Sequence, residues 1–469
     1  MFVKNKIDQV SSWSRNSLGL KVFVIGFLVL ILLIPASMIE SLIREREITA
    51  DETINEVSAN WGAAQVLAGP ILSVPYIDYF KDEYGVVRSQ TKYAHFLPEN
   101  LNINGDVGTE IRNRGIYSAV LYNTQLEIDG NFLFPDFDSL VSVAEKDILY
   151  QDAFISFGLT DMRGINENIS INFDSENFVF EPGVPINDVF NSGFNAEVLI
   201  NKKANYKFSM QLDLNGSFAL NFAPLGKTTT VNLTSSWNNP SFDGAFLPDT
   251  RTITEEGFSA DWKILHLNRN YPQQWIGSAN PINLFSETGL EPSRFDNKFD
   301  YYDESSDLNN VNDYSFGVKL LLPVDAYQKS MRAIKYVIMT LVLTFVTFFF
   351  VEVFNKKKIH PVQYLLVGFA VCIFYLLLLS LSEHLAFGLA YLIASLATIL
   401  LISFYSKTVF DNSKQSKVLG GILVLMYGFF YTLLQLQDYA LLVGSIGLFA
   451  VLAIVMMLSR KIDWYGNVN

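Results

Sequence analysis

The chain has 469 residues, half of them hydrophobic, with 47 acidic residues against 34 basic ones and a formal net charge of −13. This acidic balance disfavours nucleic acid as a partner. The single cysteine, Cys372, excludes an intrachain disulfide, so the fold must be stabilised by its core alone.

Apolar runs of membrane-spanning length dominate the organisation of the chain. Each is about 18–22 residues long, enough for a helix to cross a hydrocarbon core of about 30 Å. In lipid the backbone amides have no water to bond, so runs of this length must be helical. The spans are predicted at residues 18–40, 334–354, 361–381, 385–405, 419–436 and 439–458. We therefore predict a membrane protein of the α + β class, with one N-terminal and five C-terminal transmembrane helices around a large antiparallel β-rich domain.

The first apolar run is predicted to be a retained signal anchor. It is longer than the 7–15 residues typical of a cleaved signal sequence, and no A-x-A-like cleavage site follows it. Residues 44–57 show a helical pattern that could continue this span outward.

Charge in the short loops orients the spans. Residues 41–333 carry 21 basic and 40 acidic residues, whereas most other basic residues lie in four short segments on one predicted side. Because Lys and Arg in short loops stay cytoplasmic, we predict cytoplasmic tails at 1–17 and 459–469 and an exported, periplasmic domain at 41–333. Lys329, Arg332 and Lys335 run against this rule. The cytoplasmic set comprises Lys4, Lys6, Arg15, Lys21, Lys356, Lys357, Lys358, Lys407, Lys414, Lys417, Arg460 and Lys461.

Two-residue alternation of apolar and polar residues predicts β structure in the exported domain. Residues 206–214 and 217–222 alternate around Asn215-Gly216, which predicts a hairpin. Residues 169–173 and 178–180 alternate across a polar turn in the same way. One large antiparallel domain or two stacked units would fit, and the acidic, Asn-rich residues 296–313 are predicted to form a loop.

Candidate chemistry in the exported domain is sparse. Gly226-Lys227-Thr228 resembles the end of a phosphate-binding loop, but Asn221 stands where the motif requires glycine, so a β-turn is favoured. No two histidines have metal-ligand spacing, and we predict neither a metal nor a cofactor. The sequence has no G-x-S-x-G motif, so a membrane-anchored periplasmic hydrolase is only an alternative. The histidines are His95, His266, His360 and His384.

Polar residues inside membrane spans would mark a transport path. Glu352 at the inner end of the second span, and Glu383 with His384 in an outer turn, are interpreted as interfacial residues. The span interiors instead carry small residues suited to close helix packing. A small-molecule or lipid transporter is therefore a second, less favoured alternative.

Several short segments of the chain form a pattern that is known from a protein family. They are Leu33-Ile34-Pro35, Met38-Ile39-Glu40, Arg44-Glu45-Arg46, Glu56-Val57-Ser58, Trp61-Gly62, Gln65, residues 69–76, residues 224–228, Trp237, Pro240-Ser241-Phe242, Gly244, Phe246-Leu247-Pro248, residues 257–260, Trp262, Arg269 and Pro272-Gln273. These segments resemble the CreD family of bacterial inner-membrane proteins, associated with cell-envelope integrity. Together with the arrangement of the spans, the resemblance covers essentially the whole chain.

The resemblance implies a multi-pass inner-membrane protein with a role in envelope integrity or stress. In some members it also implies a link to a two-component regulatory system and to the β-lactam response. It implies no catalytic residues, so we predict a non-enzymatic protein whose partners are the lipid bilayer and envelope or regulatory membrane proteins.

A set of Gly, Pro and aromatic residues in the shared segments is the candidate functional site. Glycine and proline set turns, and Trp61 and Trp237 are expected to be buried anchors. The same residues could dock the exported domain on the helix bundle. The set comprises Trp61, Gly62, Gln65, Gly69, Pro70, Pro75, Tyr76, Pro224, Gly226, Trp237, Pro240, Phe242, Pro248 and Trp262.

Overall fold

The computed structural model describes residues 18–201, 203–279, 314–322, 326–355, 359–410, 412–436 and 439–460. Two compact units divide the chain: Ala50–Pro323, and Met1–Thr49 together with Val324–Asn469. The predicted loop at 296–313, the predicted tail at 1–17 and the lysines at 356–358 lie outside the described residues.

A single long helix, α1 (Leu18–Trp61), contains the first apolar run. Its 44 residues correspond to about 66 Å at 1.5 Å per residue, roughly twice the thickness of a hydrocarbon core. The predicted helical continuation through residues 44–57 is therefore confirmed.

The unit that comprises Met1–Thr49 and Val324–Asn469 is helical throughout its described residues. Six helices of the described part of the chain are long and apolar enough to cross a membrane, α1 and five that follow the β region. A short amphipathic helix precedes those five. The C-terminal helices are α2 (Ala326–Ile334), α3 (Val337–Phe354), α4 (Pro361–Ser382), α5 (Phe387–Phe410), α6 (Ser413–Gln435) and α7 (Ala440–Ser459).

Two basic residues of α2 contact the ends of spanning helices. The Arg332 guanidinium donates a 2.9 Å hydrogen bond to the carbonyl of Leu436, the residue just after α6. This carbonyl lies at a helix C-terminus, where the last carbonyls lack intrahelical donors. The Lys329 ammonium lies 5.4 Å from the ring centroid of Phe387, at the start of α5, and makes a cation–π contact there.

The described residues of the β-rich unit form two sheets, one of nine strands and one of eight. The first has the order β13-β17-β11-β1-β5-β9-β8, with β2 on β1 and β16 on β2, and the second has the order β14-β15-β12-β3-β4-β10-β6-β7. The strands are β1 (Gln65–Lys81), β2 (Val87–Phe96), β3 (Asn100–Arg114), β4 (Tyr117–Leu133), β5 (Phe154–Leu159), β6 (Ser170–Phe173), β7 (Glu176–Val179), β8 (Glu181–Pro182), β9 (Gly193–Glu197), β10 (Asn205–Ser217), β11 (Ala219–Phe222), β12 (Thr228–Ser235), β13 (Pro240–Gly244), β14 (Thr250–Thr254), β15 (Gly257–Leu265), β16 (Gln274–Ile276) and β17 (Phe316–Leu320).

Both sheets contribute to one continuous hydrophobic core, so the β-rich region is one unit rather than two stacked ones. Most strand pairs are antiparallel, as predicted. Two pairs are parallel, β1 with β11 and β12 with β3, and these join strands distant in sequence. Alternation along a strand reports its buried face but not its direction of pairing.

The predicted hairpin at Asn215-Gly216 is wrong, whereas the one around residues 174–175 is confirmed by the β6–β7 pairing. Asn215 and Gly216 continue β10, which pairs with β4 through Ser217. The chain then passes to β11 in the other sheet at Phe218, whose φ is +60°. Gly216 is needed for close packing rather than for a turn, because a Cβ there would lie 2.3 Å from the Tyr122 hydroxyl oxygen.

Candidate functional site

The end of α1 is joined to the β domain by a glycine and a polar network. Gly62 ends the helix with a φ of +144°, and its amide still donates to the Ser58 carbonyl at 2.9 Å. A Cβ at Gly62 would lie 2.7 Å from the carbonyl oxygen of Asn215. Both the backbone angle and the close approach therefore require glycine at this position.

Gln65 is the centre of this network and is fully buried. Its Nε2 donates to the backbone carbonyls of Asp161 at 3.0 Å and Asn215 at 3.1 Å. Its Oε1 accepts from the Asp161 amide at 3.2 Å and the Thr160 hydroxyl at 3.1 Å. One side chain thus links β1 to the segment after β5 and to β10, each distant in sequence.

The Asp161 carboxylate extends the network to the backbone just after the helix. It accepts from the Ala63 amide at 2.9 Å, and Arg163 binds both of its oxygens at 2.9 Å. Burial raises the pKa of Asp161, but the hydrogen bonds from Arg163 and Ala63 outweigh it and the net pKa is lowered. The carboxylate is therefore held ionised next to the end of α1. We call Trp61, Gly62, Gln65, Asp161 and Asn215 the helix-exit network.

Trp61 belongs to this network but is only half-buried, so its predicted burial is wrong. Its indole nitrogen donates to the Tyr122 carbonyl at 3.2 Å, and the Arg112 guanidinium lies 4.1 Å from its ring. Trp237 is half-buried as well. Trp61 is the last residue of α1 and Trp237 follows β12, and the residue type alone does not indicate that either ring keeps a solvent-facing side.

A buried arginine forms a second cluster. Arg269 donates to the carbonyls of Tyr271 at 3.1 Å, Pro272 at 3.3 Å and Leu225 at 3.3 Å, and to the Gln273 side chain at 2.5 Å. Its guanidinium also stacks on the Tyr271 ring at 4.3 Å. Burial lowers the pKa of Arg269, since desolvation disfavours the charged form.

Pro224 and Gly226 of the candidate set lie on either side of Leu225, whose carbonyl accepts from Arg269. The Tyr271 hydroxyl donates to the Pro224 carbonyl at 3.0 Å, and the Gly226 amide donates to the Thr229 hydroxyl at 2.9 Å. Lys227 pairs with Glu99 at 2.7 Å. The lysine of the phosphate-loop-like tripeptide is therefore engaged in an ion pair between strands.

A third cluster is aromatic. Trp262 is buried, with ring centroids 5.7 Å from Phe242 and 5.8 Å from Phe316. Its indole nitrogen donates to the Phe246 carbonyl at 3.2 Å. Pro240 begins β13, and Pro248 lies just before β14.

The remaining candidates lie along β1. Tyr76 is buried against Phe137, with a centroid distance of 5.8 Å, and the Pro75 carbonyl accepts from the Leu149 amide at 2.9 Å. A Cβ at Gly69, whose neighbour is Pro70, would lie 2.4 Å from the Phe157 ring. The candidate set thus divides among β1, the helix-exit network, the arginine cluster and the aromatic cluster.

One grouping in the β domain has the residue types of a hydrolytic triad. The Ser73 hydroxyl lies 2.9 Å from Nδ1 of His95, and Nε2 of His95 lies 3.9 Å from the Asp188 carboxylate. Ser73 and His95 are both fully buried within the strand pair β1–β2, and Trp275 covers the imidazole at 5.4 Å. A nucleophile must meet its substrate, so this geometry favours a structural role over hydrolysis.

His95 should make stability dependent on pH. Burial lowers the pKa of His95 to about 3, below the value of about 6.5 in an unfolded chain. Its contribution to the free energy of unfolding is therefore complete above pH 6.5 and is lost as pH falls toward 3. We expect a loss of about 2 kcal/mol at pH 5 from this group. Thermal unfolding of the wild type and of His95→Gln between pH 7 and 5 checks this, and parallel stability curves would contradict it.

Glu352, two residues before the end of α3, is buried and paired in the structure. It is 2% exposed, and its carboxylate accepts from Lys21 at 2.6 Å, Tyr364 at 2.8 Å and the Ile359 amide at 3.1 Å. Its ion-pair partner Lys21 is 331 positions away along the chain. No local pattern can indicate such a partner.

Within the described residues, no group of three or more His, Cys, Asp or Glu side chains is arranged to hold a metal ion. In the helix-exit network and the arginine cluster, side chains form hydrogen bonds with backbone carbonyls and amides. Such hydrogen bonds hold segments of the chain together, and this arrangement favours a structural role.

Comparison with known proteins agrees with this architecture. A family model described as "Inner membrane protein CreD" matches residues 17–465. The inner membrane protein CreD of Escherichia coli strain K12 is 31% identical over 444 residues, which cover 93% of this chain and 91% of that protein. Six apolar helices fit a multi-pass protein of the inner membrane. The chain therefore belongs to the CreD family of inner membrane proteins.

Proposed function

We propose that this protein supports cell-envelope integrity without catalysis, through contacts made by its periplasmic β domain and its membrane bundle. The family resemblance supports the envelope role. The non-enzymatic part is supported by one observation above all: the side chains of Gln65 and Arg269, the centres of two polar clusters, bind the backbone of the β domain itself.

The helix-exit network supports a more specific form of this proposal. An α-helix transmits displacement well because each residue is hydrogen-bonded to the next turn. Here the helix that begins in the first apolar run ends in a buried network inside the β domain. We propose that a stress-dependent contact of the β domain is passed to the membrane, and to a regulatory membrane partner, through α1.

Complementation of an envelope-stress phenotype tests the non-enzymatic function. We expect Gln65→Glu to lose complementation because it disrupts the helix-exit network, and Ser73→Ala to retain it. Both variants are compared at matched protein abundance. If Ser73→Ala abolished complementation without lowering abundance or thermal stability, the hydrolase alternative would replace this proposal.

Membrane topology is tested separately. On a Cys372→Ser background, we expect an impermeant thiol reagent to label Tyr84→Cys in intact spheroplasts, because Tyr84 is 88% exposed in the β domain. Asn412→Cys, between α5 and α6, should be labelled only after the membrane is opened. Labelling of position 412 in intact spheroplasts would place this loop outside and reverse the topology.

A further inference from the structure

A cavity of about 350 Å³ lies beside the buried Glu352 at the first turns of α1. Its walls come from Leu20 to Leu28 of α1, from Glu352 of α3, and from residues 359–364 at the start of α4. Sites for small ligands begin at about 300 Å³, so this volume admits a chain-like group or a compact ligand.

The polar end of the cavity contains the ammonium group of Lys21, which is paired with Glu352 and partly exposed. Glu352 has its oxygens occupied by three donors, from Lys21, Tyr364 and Ile359. Lys21 donates one of its three N–H groups to Glu352, and its side chain is 29% exposed. An ammonium in this position can donate further hydrogen bonds to an anionic oxygen.

The rest of the wall is apolar and follows the helix. Leu20, Val24, Ile25 and Leu28 line it, with Leu20 partly exposed and Leu28 buried at the other end. Eight residues of helix correspond to about 12 Å. That length is close to the roughly 15 Å of hydrocarbon in one leaflet of a bilayer. A soluble anion would leave this wall empty, whereas an acyl chain would cover it.

We propose that this cavity binds one glycerophospholipid of the cytoplasmic leaflet, with its phosphate on Lys21 and one acyl chain along α1. Charge complementarity supports this occupant, because the partly exposed Lys21 ammonium at the polar end of the cavity can donate to a phosphate oxygen. The bound lipid would then contribute to the contact of α1 with α3 and α4.

Native mass spectrometry of the full-length protein in detergent, with added phosphatidylglycerol, tests acyl-chain binding. We expect one lipid to remain on the wild type under activation that strips loosely held lipid. Val24→Trp, which fills the cavity, should lose it. Val22→Trp is the matched control, since Val22 is on the same helix, 46% exposed and not part of the wall. Equal retention by both variants, or none by the wild type, would overturn the proposal.

The phosphate contact is tested by the paired change Lys21→Met with Glu352→Gln, which removes both charges and leaves no orphaned carboxylate. We expect phosphatidylglycerol affinity to fall about tenfold, the value of one charge-assisted hydrogen bond. Diacylglycerol, which lacks the phosphate, should bind both proteins equally. Displacement of the lipid by inorganic phosphate alone would show a soluble-anion site and contradict a lipid occupant.

Discussion

Replacing Gln65 by glutamate is expected to lower the free energy of unfolding by about 3–5 kcal/mol. The substitution keeps the shape of the side chain but turns its two N–H donors into acceptors. They would then face the carbonyls of Asp161 and Asn215, which Gln65 now satisfies at 3.0 and 3.1 Å. The Asp161 carboxylate in the same network adds repulsion between like charges.

Thermal unfolding of the full-length protein in detergent measures this effect, and we expect the melting temperature to fall by about 10 °C. Gln151→Glu makes the same chemical change at an exposed position of the same domain. It should alter stability by no more than about 0.5 kcal/mol. Equal melting temperatures of the two variants would show that Gln65 does not stabilise the β domain through these hydrogen bonds.

The second large effect is expected at Arg269. Replacing it by alanine should cost about 3–5 kcal/mol, because the carbonyls of Tyr271, Leu225 and Pro272, the first two in buried contacts, and the Gln273 side chain lose their donor and a cavity remains. Loss of the stacked guanidinium also frees the Tyr271 ring. The loop that carries Pro224 should therefore loosen together with the segment before β16.

Arg251→Ala is the matched control, since Arg251 lies on the edge strand β14 with an exposed side chain. It should melt within about 2 °C of the wild type. Amide hydrogen exchange adds a local readout, and faster exchange at residues 223–229 is expected only in Arg269→Ala. Unchanged exchange there would show that the carbonyl contacts do not hold this loop.

The helix-exit network shows why residue types alone could not predict all the members of a buried site. The shared segments drew attention to Trp61, Gly62 and Gln65, and the structure brings these residues together. Their partner Asp161 carried no signal, and Asn215 was noted only as part of the predicted hairpin, because each lies about a hundred positions or more from Gln65 along the chain. Arg269 had been noted only as a shared residue, and its burial became evident from the carbonyls around it.

Local patterns misled where a residue serves a distant neighbour. Asn215-Gly216 has the chemistry of a tight hairpin, yet Gly216 is there to admit the Tyr122 side chain. Lys329 and Arg332 violate the charge rule for loops, yet they interact with helix ends at Phe387 and Leu436. In each case a contact between remote segments outweighed the local preference.

The sequence by itself determined the class of protein: spanning helices at both ends and a β-rich domain between them. These features follow from the length and period of apolar runs, which local chain geometry and the bilayer impose within one segment. Only the tertiary structure decided the parallel strand pairs, the helix-exit network and the pairing of Lys21 with Glu352. The physical reason is that each depends on two or more segments far apart in the chain, and their meeting is settled by how all the buried faces pack at once.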